Sequence, residues 1–456
     1  MQIYLTLEQA IETINRVLWG PVLTVPMLLI GLWFSIRLHF FQFTGISVWL
    51  KQTVGRAFRH SDKTSGISPF QTLATALAGT MGTGNIVGVA AAIAAGGPGT
   101  VFWMWLSALF GMMTKYAETV LAVRFRRRGK SGEWQGGAME YMEHGLHCRW
   151  MSLLFGVFCV FASFGMGNMT QVHSISSALS GAFGAPPRLV GLAVALLLGL
   201  IICGGIRRIA GFAEKLIPSL SILYTLGGLV VIFYHSEQLP VVLRDIFRTA
   251  LLPQSVVGGV AGYGIQSAMR YGFARGIFSN EAGLGSSGMV YATAEHASPA
   301  EQGMWGIFEV FADTILVCTV TALAILTAVP QDSGLSGAAL TIAAFSTVFG
   351  RTGSVLIAVA ITLFAFASMV GWAYYGERGM CRLAGRKSAP VYRALFLICA
   401  ALGAVLRLEL VWGMSEIFNA LMALPNLIAL LWLTPQVLEE SEEFLRQPKV
   451  SKRRNG

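Results

Sequence analysis

The chain has 456 residues, 54% of them hydrophobic and 12% charged, with a mean hydropathy of +0.63. Soluble domains carry about 25% charged residues, so a water-soluble protein is excluded and a polytopic, all-α integral membrane protein is expected. Its formal charge of +10 is confined to a few loops, which reads as an orientation signal and not as a nucleic-acid-binding surface.

Residues 1–19 carry Glu8, Glu12 and Arg16 in an amphipathic pattern. The first apolar run, 21–36, has no small-residue cleavage site and leads into a basic loop, so it is expected to be a retained span. Apolar runs of the length a hydrocarbon core demands predict eleven spans, over 20–37, 68–97, 99–124, 151–183, 187–205, 211–235, 257–294, 303–329, 352–378, 392–408 and 412–435. A membrane β-barrel would show short alternating segments instead. Lys51, Arg56 and Lys63, then "RFRRRGK" (124–130), then Arg207, Arg208 and Lys215, then Arg378 to Arg393, and the tail "KVSKRR" (449–454) mark the cytoplasmic loops. This places the N-terminus outside and the C-terminus inside, in a bacterial inner membrane, with weak attraction to anionic lipid.

Segment 237–256, with Arg244, Asp245 and Arg248, reads as an amphipathic outer helix, and 335–350 as a second outer lid element. The expected organisation is 1–60 for the extra N-terminal helix and first loop, 61–236 for one five-helix repeat, 237–436 for the outer segment and a second repeat, and 437–456 for a basic tail. Six cysteines are present. Four lie in apolar spans, none forms a CxxC, and a packing role is expected, without disulfide or metal.

The second and seventh spans depart from the pattern in the same way. One contains "GTMGTGNIVGVA" (79–90), the other "GIFSNEAGLGSSGM" (276–289). Glycine costs a helix about 1 kcal/mol relative to alanine. Clustered glycine lets the backbone leave the helix, and freed backbone groups survive at membrane depth only inside protein or along a cavity. The second half-helix offers N–H groups and a positive dipole end to an anion, while the first ends in carbonyls that suit a cation. An amino acid carries both charges on adjacent atoms. Gly84 and Gly88 also match the GxxxG packing motif, but the hydroxyl and amide residues and the second break favour a site. Five spans begin at each broken helix, and an odd number per repeat inverts the second copy, the pattern of an inverted-repeat transporter.

"GTMGTGNIVGVAAAIAAGGPGTVFWMWLSALFGMMTKYAETVLAVRFR" (79–126) closely resembles the signature region of the alanine or glycine:cation symporter family. "FGMGNMTQVHSISSAL" (164–179), "GFARGIFSNEAGLGSS" (272–287) and "LFAFASMVGWAYYGERG" (363–379) resemble three further blocks, in the family's order. The resemblance implies sodium-coupled uptake of alanine, glycine or a similar small neutral amino acid. It also implies the five-plus-five inverted-repeat fold of the amino acid–polyamine–organocation superfamily, with one extra N-terminal helix. No cofactor is expected beyond Na+ as coupling ion, and a monomer is expected.

Gly82, Thr83, Gly84 and Asn85 are the first substrate candidates, their backbone N–H groups facing the carboxylate, as the resemblance supports. Thr80 is a cation candidate whose hydroxyl could equally serve the substrate or neither. Asn168 and Gln171, three apart, share a helix face; the resemblance places that face against substrate, and an interhelical hydrogen bond is the alternative. Ser279, Asn280 and Glu281 occupy the second break. Gating, backbone support or an ion pair of Glu281 with Arg275 or Arg270 is expected before substrate contact. By resemblance Ser368 is the sodium-site hydroxyl; the family often has Ser and Thr together here, whereas this chain has Ala367 and Ser368. Trp372, four residues on, either bounds the substrate or belongs to the core. Lys115 with Glu118, and Glu309 with Asp313, sit at helical spacing as structural or gating charges. No nucleophile–base, HExxH or Walker pattern occurs, so neither an enzyme nor an ATP-driven pump is expected. The rivals are a proton-coupled transporter on the same fold and a non-transporting amino acid sensor.

Overall fold

The computed structural model describes residues 2–57, 66–129, 132–251, 264–406 and 408–446. The chain is almost wholly helical. Helix α1 (Leu7–Arg37) is followed by a bent pair, α2 (Pro69–Thr80) and α3 (Val87–Gly96), and then by α4 (Gly99–Arg124), α5 (Arg149–Phe183), α6 (Pro187–Ile202) and α7 (Gly205–Tyr234). After α8 (Leu239–Leu251) come α9 (Ile265–Asn280), α10 (Pro299–Ala328), α11 (Gly337–Phe349), α12 (Arg351–Ala384), α13 (Ala389–Gly403), α14 (Leu408–Trp432) and α15 (Thr434–Arg446).

Local chemistry sets the ends of these helices. Ser68 caps α2 by accepting from Gln71 N at 3.1 Å while Gln71 Oε1 accepts from Ser68 N at 3.0 Å, with Pro69 in the first turn. Ser298 and Pro299 open α10 in the same manner, Ser298 Oγ accepting from Glu301 N at 3.3 Å. Such caps contribute about 1 kcal/mol each. Three of these helices contain widened π-helical turns, Leu18–Val22 in α1, Gly165–Met169 in α5 and Phe311–Cys318 in α10.

Packing follows a pseudo-two-fold pattern. Helix α4 lies against α9 as α10 lies against α2, α5 against α14 as α12 against α7, and α5 against α6 as α12 against α13. The self-equivalent pairs α4–α10, α5–α12 and α6–α13 also touch. This is the expected inverted five-helix repeat, with α1 as the extra helix. Helix α1 fastens to α14 through Asn15 Nδ2 to Gly413 O (2.8 Å) and Trp19 Nε1 to Glu416 O (3.0 Å). Leucines 189, 192, 196, 197 and 200 of α6, and Ile222, Leu223, Leu226 and Phe233 of α7, are exposed and form a lipid-facing belt.

Some boundaries differ from expectation. The amphipathic N-terminus is helical from Gln2 and runs into the first span through a π-helical turn at Leu18–Val22 containing Pro21. Among the described residues, six helices are long and apolar enough to cross a membrane, with a seventh if α2 and Thr83–Gly96 count as one span. The expected eleven is a larger number for physical reasons. Lys115 and Glu118 add buried charge to α4, α6 and α13 have only 16 and 15 residues, and the start of the seventh span lies outside the described residues. Segment 335–350 forms α11 and 237–256 contributes α8. The last apolar helix stops at Trp432, and the expected boundary at 437 falls inside α15; of the expected tail 437–456, residues 447–456 lie outside the described residues.

Candidate functional site

Helix α2 stops where Met81 (φ −76°, ψ 74°) and Gly82 (φ −109°, ψ −145°) leave helical geometry. A single tight turn, Thr83–Asn85, leads into α3, and the axis bends by 61°. A Cβ at Gly82 would lie 3.0 Å from Cβ and Oγ of Ser368 and 3.1 Å from Oε1 of Gln171. The break is therefore pressed between α12 and α5. Gln171 Oε1 accepts from Thr83 N at 3.2 Å, and Ser368 Oγ donates to Gly79 O at 3.0 Å. A Cβ at Gly371 would lie 2.8 Å from Gly79 Cα, so α12 and α2 meet backbone to backbone beside these carbonyls.

The second break begins at Glu281, left-handed at φ 54°, and continues through Gly283 (φ 95°) and Gly285 (φ 74°), conformations that favour glycine. The two breaks touch: a Cβ at Gly84 would lie 3.6 Å from Ser279 Cα. Asp313, on the π-helical turn of α10, joins them. Its Oδ1 accepts from Asn85 Nδ2 at 2.7 Å, and its Oδ2 from Ser279 Oγ and Thr314 Oγ1, both at 2.8 Å. Asn280 supports the backbone, its Oδ1 accepting from Ala282 N (3.0 Å) and its Nδ2 donating to Thr314 Oγ1 (3.2 Å). The thiol of Cys318 lies 3.3 Å from Asn85 Nδ2 and 3.4 Å from Ser279 Oγ. Thr83 Oγ1 and Asn85 Oδ1 are buried without a hydrogen-bond partner among the described residues.

Below the second break, on the side expected to face the cytoplasm, lies a buried polar network. Glu281 Oε1 accepts from Trp372 Nε1 at 2.9 Å and its Oε2 from Ser286 Oγ. Lys115 Nζ reaches Ser287 Oγ at 2.9 Å and Glu309 Oε1 at 3.4 Å; Glu309 Oε2 accepts from Tyr291 OH at 2.9 Å. Beyond the end of α4, Arg126 donates to the carbonyls of Ala292, Ala294 and Ala297. Burial lowers its pKa below the ordinary arginine value. On the opposite side Arg275 pairs with Glu416 at 3.5 Å, its guanidinium 5.4 Å from the ring centroids of both Phe278 and Trp412.

The chain matches the model of the sodium:alanine symporter family over residues 4–455. It belongs to that family. The sodium/alanine symporter AgcS of Methanococcus maripaludis is 38% identical over 444 residues, covering 95% of this chain and 96% of that one. The probable sodium/glutamine symporter GlnT of Bacillus subtilis is 38% identical over 449 residues, covering 98% and 92%. Among solved structures, that of MhsT in complex with L-phenylalanine matches with a TM-score of 0.59 at 14% identity, covering 84% of this chain and 93% of that one. This likeness carries the fold, the helical inverted repeat of membrane transporters. A member of this symporter family is a transporter and not an enzyme.

Of the residues singled out in this symporter-family sequence, Gly82, Thr83, Gly84, Gln171 and Ser368 meet at the first break, and Asn85 reaches the second through Asp313. Trp372 and Glu281 join below. Two candidates point elsewhere. Asn168 Nδ2 donates to Phe396 O of α13 at 2.6 Å, so it does not share Gln171's face: the π-helical turn at Gly165–Met169 rotates one against the other. Thr80 Oγ1 bonds back to its own helix, at Ala76 O (3.3 Å) and Leu77 O (3.4 Å). The charges pair differently from their spacing. Lys115 bonds Glu309 across helices, Arg275 takes Glu416, and Glu281 takes Trp372 and Ser286. Helical spacing pairs Asp313 with Glu309, four residues earlier, and so conceals its place between the breaks.

Proposed function

We propose that this symporter-family protein carries a small neutral amino acid, alanine or glycine, into the cell together with Na+ by alternating access. The observation that carries the reading is the first break, held at Gly82 between Ser368 and Gln171. Substrate carboxylate meets the N–H groups of 84–85 at the positive end of α3, with Gln171 fixing that backbone through Thr83 N. Thr83 Oγ1 and Asn85 Oδ1, both buried and unpartnered, are the polar atoms left for the ammonium end. Trp372, wholly buried, limits side-chain size from α12.

Sodium takes the carbonyl end of α2. The Ser368 hydroxyl donates to Gly79 O, so its proton lies between two oxygens that a cation would take once the hydroxyl turned. Thr80 Oγ1 donates its proton to its own helix carbonyls, which leaves its lone pairs for sodium. Because the ion organises the backbone that binds the amino acid, each ligand favours the other. Ligands stabilise the states they bind best, and the pair drives closure. Arg275–Glu416 and Glu281–Trp372 are the contacts that opening on either side would break.

Uptake of a panel of small L- and D-amino acids into proteoliposomes, with an inward sodium gradient or choline in its place, tests this. Sodium-driven accumulation of alanine or glycine is expected. Uptake that persists in choline and follows a pH gradient overturns sodium coupling, and binding without exchange overturns transport.

A further inference from the structure

Arg126 holds together more than its own helix end. It lies two residues beyond α4, and its guanidinium serves three backbone carbonyls. Nη1 donates to Ala292 O (3.2 Å) and Ala294 O, and Nη2 to Ala297 O (3.2 Å). These carbonyls belong to the link between the second break and α10. The matching link of the first repeat is built differently. There α3 winds from Val87 to Gly96, and Gly97 and Pro98 alone precede α4. In the second repeat the half-helix is Gly288–Tyr291, and 292–298 run irregularly to α10. A helix satisfies its carbonyls from within; this link takes its donors from a side chain of another element.

The same link is tied to the helix of the first break. Glu295 N donates to Ile67 O at 2.9 Å, and Ile67 and Ala294 form a parallel bridge. Ile67 stands immediately before Ser68, the cap of α2. A hairpin covers the junction, its strands β1 (Arg127–Arg128) and β2 (Trp134–Gln135) antiparallel. The ring centroid of Trp134 lies 4.2 Å from the guanidinium of Arg126 and 4.8 Å from that of Arg128. Trp134 Nε1 donates to Glu295 Oε2 at 3.0 Å. A Cβ at Gly136 would collide with Ala292 Cβ and lie 2.5 Å from Ala122 O, so the end of the hairpin and the link meet at backbone distance.

We propose that Arg126 and this hairpin form a lock at the end of the transporter opposite Arg275–Glu416. It fastens both broken helices and must release before the site opens at that end. The chemistry suits release. Ile67, Ala292 and Ala294 are at most 8% exposed, yet hydrogen bonds and a cation–π stack hold the junction. On opening, the guanidinium, the carbonyls and the Glu295 carboxylate regain water, so the net cost of parting them is modest. Parting the apolar faces of α4 and α10 would instead expose surface that water disfavours. The lock rests on alternating access as proposed above, and on neither the amino acid nor the ion carried.

Two measurements on the full-length protein test it. The first combines Ile67→Cys with Ala294→Cys and oxidises the pair to a disulfide with copper phenanthroline in air, the link confirmed by mass spectrometry. Sodium-driven alanine uptake in proteoliposomes is expected to be lost on oxidation and to return with dithiothreitol. Uptake by the cross-linked protein at the rate of its reduced form overturns the lock, because the bridge then stays shut throughout the cycle. The second reads opening without transport. Ile67→Cys alone is labelled on purified protein with a hydrophilic maleimide, with and without Arg126→Gln, whose amide cannot reach three carbonyls. Labelling at position 67, mapped by mass spectrometry, is expected to quicken about tenfold or more with loss of the charge-assisted bonds. An unchanged rate in monodisperse R126Q protein overturns the lock, whatever the protein carries; should R126Q aggregate, the disulfide decides. Wild-type protein that takes up no amino acid would overturn the proposed function and leave the labelling result standing.

Discussion

Gly82→Ala isolates the contact on which the site rests. The φ of −109° is open to alanine, so the effect is steric. The new Cβ would stand 3.0 Å from Ser368 and 3.1 Å from Gln171 Oε1, where ordinary contact needs 3.4–4 Å. Ser368 is held against α2 by its 3.0 Å bond to Gly79 O. Gln171 must give way, stretching its 3.2 Å bond to Thr83 N. Overpacking of this kind costs about 1–3 kcal/mol, which is about 5- to 150-fold in an equilibrium constant. The assay is sodium-driven alanine uptake in proteoliposomes, with size-exclusion chromatography as the folding control. Both KM for alanine and the sodium concentration for half-maximal uptake are expected to rise within that range. A monodisperse G82A protein with either value unchanged would show that Ser368 and Gln171 do not act through this break.

Other substitutions separate the parts. Asp313→Asn keeps the shape but turns an acceptor into a donor facing Ser279 or Thr314; about 1–3 kcal/mol of lost hydrogen bonding should lower uptake at least fivefold, and wild-type kinetics would remove Asp313 as the joint between the breaks. Ser368→Ala should raise the half-saturating sodium concentration with little change in maximal rate; an unchanged sodium dependence places the ion elsewhere. Trp372→Phe keeps ring packing but loses the 2.9 Å bond to Glu281, a charge-assisted bond worth about 1.5–3 kcal/mol. It should shift the balance of open states, read as altered accessibility of an introduced cysteine; an unaltered pattern would confine Trp372 to packing.

Much of this was legible in the sequence, for a physical reason. Clustered glycines with Thr83, Asn85, Ser279 and Asn280 announce a broken helix, because irregular backbone at membrane depth needs polar partners. Ser368 was given by resemblance and Trp372 by its place four residues on along the regular helix α12; each meets a broken segment, Ser368 at Gly79 and Trp372 at Glu281. Spacing failed where the winding changes. Asn168 and Gln171 straddle the π-helical turn of α5, and Asp313 lies within that of α10. A widened turn moves side chains off the faces that 3.6-residue arithmetic assigns, so Asn168 was grouped with Gln171, and Asp313 was left with Glu309. The partners of Lys115 and Glu118 were hidden for another reason. They come from Glu309, Gly285 and Asn426, and only tertiary packing brings these together.

The central claim is that ion and amino acid share the first break, and binding linkage tests it most directly. Equilibrium binding of labelled alanine to the purified protein, measured across sodium concentrations, and of sodium across alanine concentrations, gives two coupling factors that must be equal if the ligands are linked. The account predicts that each ligand tightens the other by the same factor, and that Gly82→Ala weakens both. Alanine affinity independent of sodium in the wild-type protein would contradict it.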